Sequence, residues 1–336
     1  SAATCDDFVQ AMEDASGIDL TLFRRWYSQS GTPQLTVRDS YNEVKQQYIL
    51  TVRQMTPPTQ DQHEKLPLHI PLSIELYSND GSIIPLFSEG RPVGSVLNVI
   101  QSEQTFVFEK VTEKPIISLL REFSAPVKLD YPYTDQQLSF LMQYATNDFA
   151  RWDAAQMLLA KHIKDNVSRL QQGEMFDLPL HVVDAFRAVL LSDQLDPALA
   201  AQILTLPSEN EIAELFDIID PDAIHQVRSS LITCLATELQ DEWLAIYVAN
   251  KTERYHIDHG DIAKRALRNV CLSYLAFTDR DFADNLISQQ YHHANNMTDS
   301  LAALSAAVAA ELPCRDKLMS EFDERWHQDG LVMDKW

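Results

Sequence analysis

The sequence predicts a multi-domain β + α protein in which a β-sandwich is followed by an all-α solenoid. Between residues 34 and 124, short runs alternate apolar with polar residues, which is typical of strands. From Asp130 onwards the apolar residues recur with a helical period instead. The chain has 336 residues, of which 45% are hydrophobic. This is enough material for two or three domains with ordinary cores.

Residues 1–31 predict two short helices that lead into the β region. Thr4 and Asp6 are candidate caps of the first helix, Gly17 breaks it, and Asp19 can cap the second. Gly31 and Pro33 then stop the second helix, and an alternating strand follows at once. These helices have little to pack on, so we expect them to lie against the β domain or to fray.

The β region contains about seven predicted strands, with turn signals between them. Clear runs cover 69–77, 83–86, 95–100, 105–111 and 117–123, and Asn79-Asp80-Gly81 is a hairpin turn. Residues at every second position of three runs should share one core, namely Tyr48, Leu50, Val52, Leu72, Ile74, Leu76, Phe106 and Phe108.

The helical region contains eleven predicted helices joined by short connections. They cover 134–146, 150–171, 179–192, 196–205, 208–217, 221–236, 238–250, 259–277, 279–290, 297–311 and 314–327. Asp196-Pro197 and Asp220-Pro221 are typical helix starts. So many helices favour a solenoid of stacked pairs, like HEAT or armadillo repeats, over a four-helix bundle. The alanine-rich helix near residue 305 is too short and too flanked by acids for a membrane span, which favours a buried solenoid helix.

The formal net charge of −22 argues against partners that are themselves anionic. Nucleic-acid binding and anionic membrane surfaces both require clustered basic residues. Residues 128–336 hold 33 Asp and Glu against 17 Lys and Arg. We expect most of this charge to be solvated helix surface. A smaller part would line a concave face that attracts the cationic N-terminus of a peptide.

The four cysteines, Cys5, Cys234, Cys271 and Cys314, are far apart in apolar helical contexts. No C-x-x-C pair occurs, which excludes zinc ribbons and dithiol redox motifs. This pattern predicts free thiols and a reducing, cytoplasmic location.

One cluster, His256-Ile257-Asp258-His259, has the composition of a metal site. Because a helix follows at once, Asp258 and Asp261 are better explained as capping residues. The His292-His293 pair favours a structural or solvated loop role. The tryptophans Trp152, Trp243, Trp326 and Trp336 are expected in cores or interfaces. The sequence contains no G-x-S-x-G elbow, P-loop or G-x-G-x-x-G.

Several long segments, in order along the chain, resemble the aminopeptidase N family of zinc gluzincin exopeptidases, notably its bacterial, alanyl-type members. They include LHIPLSIELY, REFSAPVKLDY, NDFARWDAAQ, DPALAAQILTLPS and HANNMTDSLAALSAAVA. Trp26, Gln29, Gly31 and Pro33 resemble the exit from that family's catalytic domain. The resemblance implies a truncated catalytic domain at 1–33, a fibronectin-like or Ig-like spacer at 34–127, and a helical domain at 128–336 that is truncated at its C-terminus.

The family's chemical motifs, H-E-x-x-H and G-A-M-E-N, do not occur in this sequence. The nearest match is His63-Glu64, but Pro67 follows and would break the helix that such a zinc site needs. We therefore predict no catalytic, cofactor-binding or metal-binding residues here. The resemblance implies zinc in the parent enzyme and partners in its missing N-terminal and catalytic domains.

Two functions remain open from the sequence. In the first, the chain is a non-catalytic part of a zinc-dependent aminopeptidase, and its helical domain covers the active-site cleft. In the second, it is a free-standing helical scaffold or a peptide-binding solenoid. In either case the apolar residues 331–333 lack a polar cap, which predicts exposed apolar surface, mobility or self-association.

Overall fold

The computed structural model describes residues 3–335. They form two compact units. The first, rich in strands, contains the residues up to Gln137 together with Tyr144–Ala150. The second, entirely helical, contains Leu138–Gln143 and the residues from Arg151 onwards.

The β-rich unit opens with α1 (Cys5–Ser16), whose ends follow from its flanking residues. Thr4 and Asp7 form a capping box at the start, and Gly17, with φ of 69°, ends the helix. Asp6 was predicted as a cap but lies in the first turn instead. The second predicted helix is one 3₁₀ turn, Phe23–Tyr27, because too few residues precede Gly31 to propagate an α-helix.

Ten strands follow in the described residues. The sequence predicted about seven, because the shortest strands were not recognised separately. They are β1 (Gln34–Asn42), β2 (Gln47–Met55), β3 (Ile70–Tyr77), β4 (Ile83–Ile84), β5 (Phe87–Ser88), β6 (Arg91–Pro92), β7 (Val96–Val99), β8 (Glu103–Phe108), β9 (Ile116–Leu119) and β10 (Lys128–Asp130). One sheet has the order β10-β1-β2-β8, with only the β10–β1 pair parallel. In the other sheet, β3 pairs antiparallel with β7 and then with β9.

The core between these sheets contains the residues that the alternation predicted. Seven of the eight are fully buried in one hydrophobic cluster, and Phe106 packs against it while partly buried. The prediction of a single sandwich core is confirmed for these positions.

Gln54 is a buried polar side chain within this apolar core. From β2 its amide nitrogen donates to the Leu68 carbonyl at 2.9 Å, and its amide oxygen accepts from the Leu68 N–H at 2.7 Å. The same nitrogen lies 3.4 Å from the Val99 carbonyl on β7. Gln54 therefore bridges the two sheets by hydrogen bonds that satisfy otherwise buried backbone groups.

The strand predicted over 117–123 ends early, at Leu119. Leu120, Glu122 and Phe123 have φ of 54°, 57° and 49°, a left-handed conformation that no strand can contain. Arg121 fastens this turn through an ion pair with Glu75, at 3.4 Å. Such a turn cannot be recognised from its residue types, because none of the three is glycine.

All eleven predicted helices are present among the described residues, with small shifts in their ends. They are α2 (Asp135–Tyr144), α3 (Asp148–Gln171), α4 (Leu180–Leu190), α5 (Pro197–Leu204), α6 (Glu209–Ala213), α7 (Pro221–Glu238), α8 (Gln240–Ala249), α9 (His259–Leu275), α10 (Arg280–His293), α11 (Met297–Ala309) and α12 (Arg315–Trp326). A short α13 (Gly330–Met333) follows. The helix α6 is shorter than predicted because Leu215 and Phe216 bond to carbonyls three residues back, in tight turns.

Aspartates and prolines start these helices as the sequence indicated. Asp196 accepts from the Ala198 N–H, and Asp220 accepts from the Ala223 N–H, each with proline at the next position. Within residues 3–335, none of the helices is long and apolar enough to cross a bilayer. The fold class, a β-sandwich followed by an all-α solenoid, is confirmed.

Candidate functional site

The junction between the 3₁₀ turn and β1 is fastened to the loop before β3. Trp26 donates through Nε1 to the His69 carbonyl at 2.7 Å. Gln29 makes a reciprocal pair with Leu66, donating to its carbonyl at 3.0 Å and accepting from its N–H at 2.8 Å. Arg25 donates to the Pro67 carbonyl. We call these contacts the junction clamp.

Lys65 closes the same loop around the junction. Its ammonium nitrogen lies 2.8 Å from the Ser30 carbonyl, 2.8 Å from the Thr59 hydroxyl and 3.1 Å from the Gln62 amide oxygen. Gly31 lies beside these hydrogen bonds with φ of 93°, and an added Cβ would meet the Thr56 methyl at 3.1 Å. The junction therefore requires glycine for both its conformation and its space.

The candidate motif His63-Glu64 lies within this loop. Neither residue belongs to a helix. The i, i+4 geometry that places two ligands of an H-E-x-x-H motif on one helical face is therefore not available there.

The cluster at His256 is a helix start, as predicted. Asp258 caps α9 by accepting from the Asp261 N–H at 3.1 Å, and this bond lowers the pKa of Asp258. His259 instead turns to Asp196, 2.9 Å away, and its hydrogen bond lowers the pKa of that carboxyl. In the described part of the chain, these residues do not converge into a group of three metal ligands.

The pair His292-His293 lies in the last turn of α10, whereas a loop was predicted. His292 lies 2.7 Å from the Ser288 carbonyl and 3.0 Å from a carboxylate oxygen of Glu321. His293 lies 2.7 Å from the Gln289 carbonyl. These contacts support the structural role expected of the pair.

A second histidine pair was not identified from the sequence. The rings of His162 on α3 and His181 on α4 have their centroids 5.8 Å apart. The two residues belong to different helices, so no spacing rule applied to a single helix could have found them.

The tryptophans differ in their surroundings. Trp243 is fully buried and stacks on Tyr274, with ring centroids 4.2 Å apart and planes 4° apart. Its indole N–H donates to the Leu235 carbonyl at 2.9 Å. Trp152 and Trp326 are half-buried, and Trp336 lies outside the described residues.

A buried polar network centred on Asp299 joins four helices. Asp299, on α11, is 6% exposed. One carboxylate oxygen accepts from the Asn269 amide at 2.9 Å, and the other accepts from the Asn296 amide at 2.9 Å. The second oxygen also lies 3.8 Å from the guanidinium of Arg268.

The network continues from Arg268 into α8 and α10. Arg268 donates to the Tyr247 hydroxyl at 2.8 Å and stacks over that ring at 4.5 Å. The hydroxyl donates in turn to Gln290, which donates to Asn269 at 2.8 Å. Burial raises the pKa of Tyr247, so this phenol remains a proton donor. We call these side chains the Asp299 network.

Burial disfavours the thiolate form of the two buried cysteines among the four. All four are free thiols. Burial raises the pKa of Cys271 to about 12, and it also raises the pKa of Cys314. Cysteine reactivity requires a thiolate, which these environments disfavour.

Comparisons with known proteins agree with this architecture. Residues 135–336 match the family described as "Domain of unknown function (DUF3458_C) ARM repeats". Residues 31–132 match the description "Domain of unknown function (DUF3458) Ig-like fold".

Relatives resemble the chain over its whole length. Aminopeptidase N of Escherichia coli is 67% identical over 336 residues, which are 100% of this chain and 39% of that protein. Aminopeptidase N of Haemophilus influenzae is 49% identical over 335 residues, covering 100% of this chain and 38% of the relative. The chain thus spans about two fifths of these relatives.

A solved structure has the same fold. The crystal structure of Legionella pneumophila aminopeptidase A in complex with aspartic acid matches with a TM-score of 0.84 at 29% identity. The match covers 100% of this chain and 38% of that one. The chain therefore belongs to the DUF3458_C ARM-repeat family and is homologous, along its whole length, to a part of aminopeptidase N.

Proposed function

We propose that this chain is the non-catalytic part of a zinc-dependent aminopeptidase that removes N-terminal residues from peptides. The observation that carries the proposal is the 67% identity to an aminopeptidase N over the whole chain, which spans only 39% of that relative. The sequence itself contains no H-E-x-x-H. The zinc ligands and the general base would therefore come from the rest of the longer protein.

We assign a separate role to each region of the fold. Residues 1–33 would complete the catalytic domain, 34–127 would form the spacer, and 128–336 would form a helical domain that covers the active-site cleft. The junction clamp supports the spacer role, because it anchors the segment at Trp26 and Gln29 to the loop before β3. A cover of this kind would admit small or unfolded peptides.

The upstream coding sequence discriminates this proposal from a free-standing scaffold. We expect it to encode an H-E-x-x-H helix in the same reading frame. A start codon or an unrelated domain immediately before Ser1 would contradict the proposal. The four free thiols also support a cytoplasmic location, and fractionation of the source cells would test that.

By itself, the 336-residue chain is expected neither to hydrolyse peptides nor to hold stoichiometric zinc. Catalytic zinc requires about three protein ligands and a positioned base. The measurement is an aminoacyl fluorogenic assay with added zinc, together with metal analysis after dialysis. The matched control is the full-length protein, which should turn over the substrate and lose activity with a chelator.

Chelator-sensitive turnover by the chain alone, or one tightly held zinc per chain, would contradict this expectation. In that event the neighbouring histidines His162 and His181 should be replaced first, followed by His256 and His259.

We also propose that the chain associates with a second copy of itself through its last helices. Leu331 on α13 is 81% exposed, and burial of such a side chain is worth about 1.5–3 kcal/mol. Sedimentation of the 336-residue chain should show association that increases with concentration. Replacement of Leu331 by Ser should weaken it, and a strictly monomeric chain at all concentrations would refute the proposal.

A further inference from the structure

A groove in the helical unit has the size of a small-molecule site. It is lined by α7, α9 and α11 together with Thr205 and Leu206, which follow α5. Its volume is about 380 Å³, within the range of roughly 300–1,000 Å³ typical of ligand pockets. We call it the Arg228 groove, after the one charged residue that lines it.

Small side chains on α11 leave this space open. Ala302, Ala306 and Ala309 all line the groove, and their spacing places them on one face of the helix. On the other sides, Ile232 and Phe277 contribute larger apolar surfaces. The groove therefore favours an apolar body.

Arg228 gives the groove a positive charge. Its Nε donates to the Pro207 carbonyl at 2.9 Å. No ion pair with a carboxylate is formed by this residue within the described part of the chain, although the net charge of the protein is −22. A half-buried guanidinium without an acidic partner favours an anionic ligand, and its planar donors match a carboxylate.

Four of the five uncharged polar side chains that line the groove are already used by the protein, and the fifth, Ser305, is exposed. Ser273 donates to the Val270 carbonyl and Thr205 donates to the Ala201 carbonyl, each at 2.7 Å. Asn269 is held at both ends of its amide by the Asp299 network. A peptide would bury amide groups here with few partners, at a cost of about 1–3 kcal/mol for each unpaired group.

A free amino acid is disfavoured for a different reason. Its ammonium group would lie near Arg228, and none of the described residues that line the groove is acidic. An acyl chain carries neither an ammonium nor amide groups. It requires only the apolar surface and a partner for its carboxylate.

We propose that the Arg228 groove binds a medium-chain monocarboxylate, with the carboxylate on the Arg228 guanidinium and the acyl chain along α9 and α11. This inference is independent of the proposed aminopeptidase function. It rests on the residues that line the groove.

The test is isothermal titration of the 336-residue chain with decanoate below its critical micelle concentration. We expect one saturable site with a dissociation constant on the order of 0.1 mM. Replacement of Arg228 by Gln should weaken binding roughly tenfold or more, because a charge-assisted contact is lost. Decanol lacks the carboxylate. It should bind the unaltered chain more weakly than decanoate does, by a factor similar to that expected for Arg228→Gln.

Two further variants separate binding from folding. Lys264→Gln removes the same charge from an exposed position of α9 outside the groove and should leave decanoate affinity unchanged. Ala309→Trp fills the groove from an exposed position and should abolish binding without lowering the thermal unfolding temperature. If Arg228→Gln fails to fold, the decanoate affinity of Ala309→Trp tests whether the groove is the binding site.

Three results would overturn the proposal. The first is the absence of saturable decanoate binding by the unaltered chain. The second is unchanged affinity in folded Arg228→Gln or Ala309→Trp. The third is tighter binding of N-acetyl-leucine than of decanoate, which would assign the groove to a peptide C-terminus.

Discussion

Replacing Asp299 by Ala is expected to lower the free energy of unfolding of the helical unit by about 3–5 kcal/mol. The substitution leaves the Arg268 guanidinium, whose side chain is 12% exposed, without its carboxylate. It also removes the acceptor of the half-buried Asn269 amide, which would lose that bond. Urea unfolding followed by the helical circular dichroism signal gives the measurement.

The matched control is Asp281→Ala. Asp281 also lies in the first turn of a helix, α10, but it is exposed. Its loss removes a favourable interaction with the helix dipole, worth about 0.3–1 kcal/mol. An equal effect of the two substitutions would show that the Asp299 network contributes nothing beyond the helix terminus.

Trp243→Ala is expected to cost about 3–5 kcal/mol, since the site cannot refill the volume of an indole. The substitution removes the stacking partner of Tyr274 and also the bond to the Leu235 carbonyl. Tyr274 is itself fully buried and tied to the Leu204 carbonyl at 2.7 Å, which limits how far it can move into the cavity. The measurement is the same urea titration.

Trp326→Ala provides the comparison for that result. Trp326 is half-buried, and its ring lies under the Arg325 guanidinium at 5.1 Å. Its loss should cost clearly less than that of Trp243, because part of its surface is already solvated. If Trp243→Ala costs no more than Trp326→Ala, the stacked pair is not a core element.

The helices and strands of this fold were predictable where residues close together in the sequence determine their ends or their buried face. Asp196-Pro197 and Asp220-Pro221 start helices because the capping carboxylate and the proline both act within a few residues. The period-two pattern of β2 and β3 likewise reports burial directly. The interpretation of Asp258 as a cap rather than a metal ligand had the same local basis.

Features that depend on distant partners could not be predicted. Gln54 resembles any strand glutamine until Leu68 and Val99 are placed around it. Asp299 resembles a first-turn aspartate, and its partner Arg268 comes from a helix some 30 residues earlier. The Arg228 groove combines residues from three helices and from the segment after α5, so no single stretch of sequence indicates it.

The junction clamp has a consequence for the order of events during synthesis. Its hydrogen-bond acceptors lie far downstream in the sequence. Gln29 is bonded to Leu66, 37 residues later, and Trp26 is bonded to His69, 43 residues later. Whatever precedes Phe23 therefore leaves the ribosome before its attachment can form. At about 5–20 residues per second, the delay lasts several seconds. During that interval the junction clamp cannot yet form, because its acceptor groups in the loop before β3 have not been synthesised.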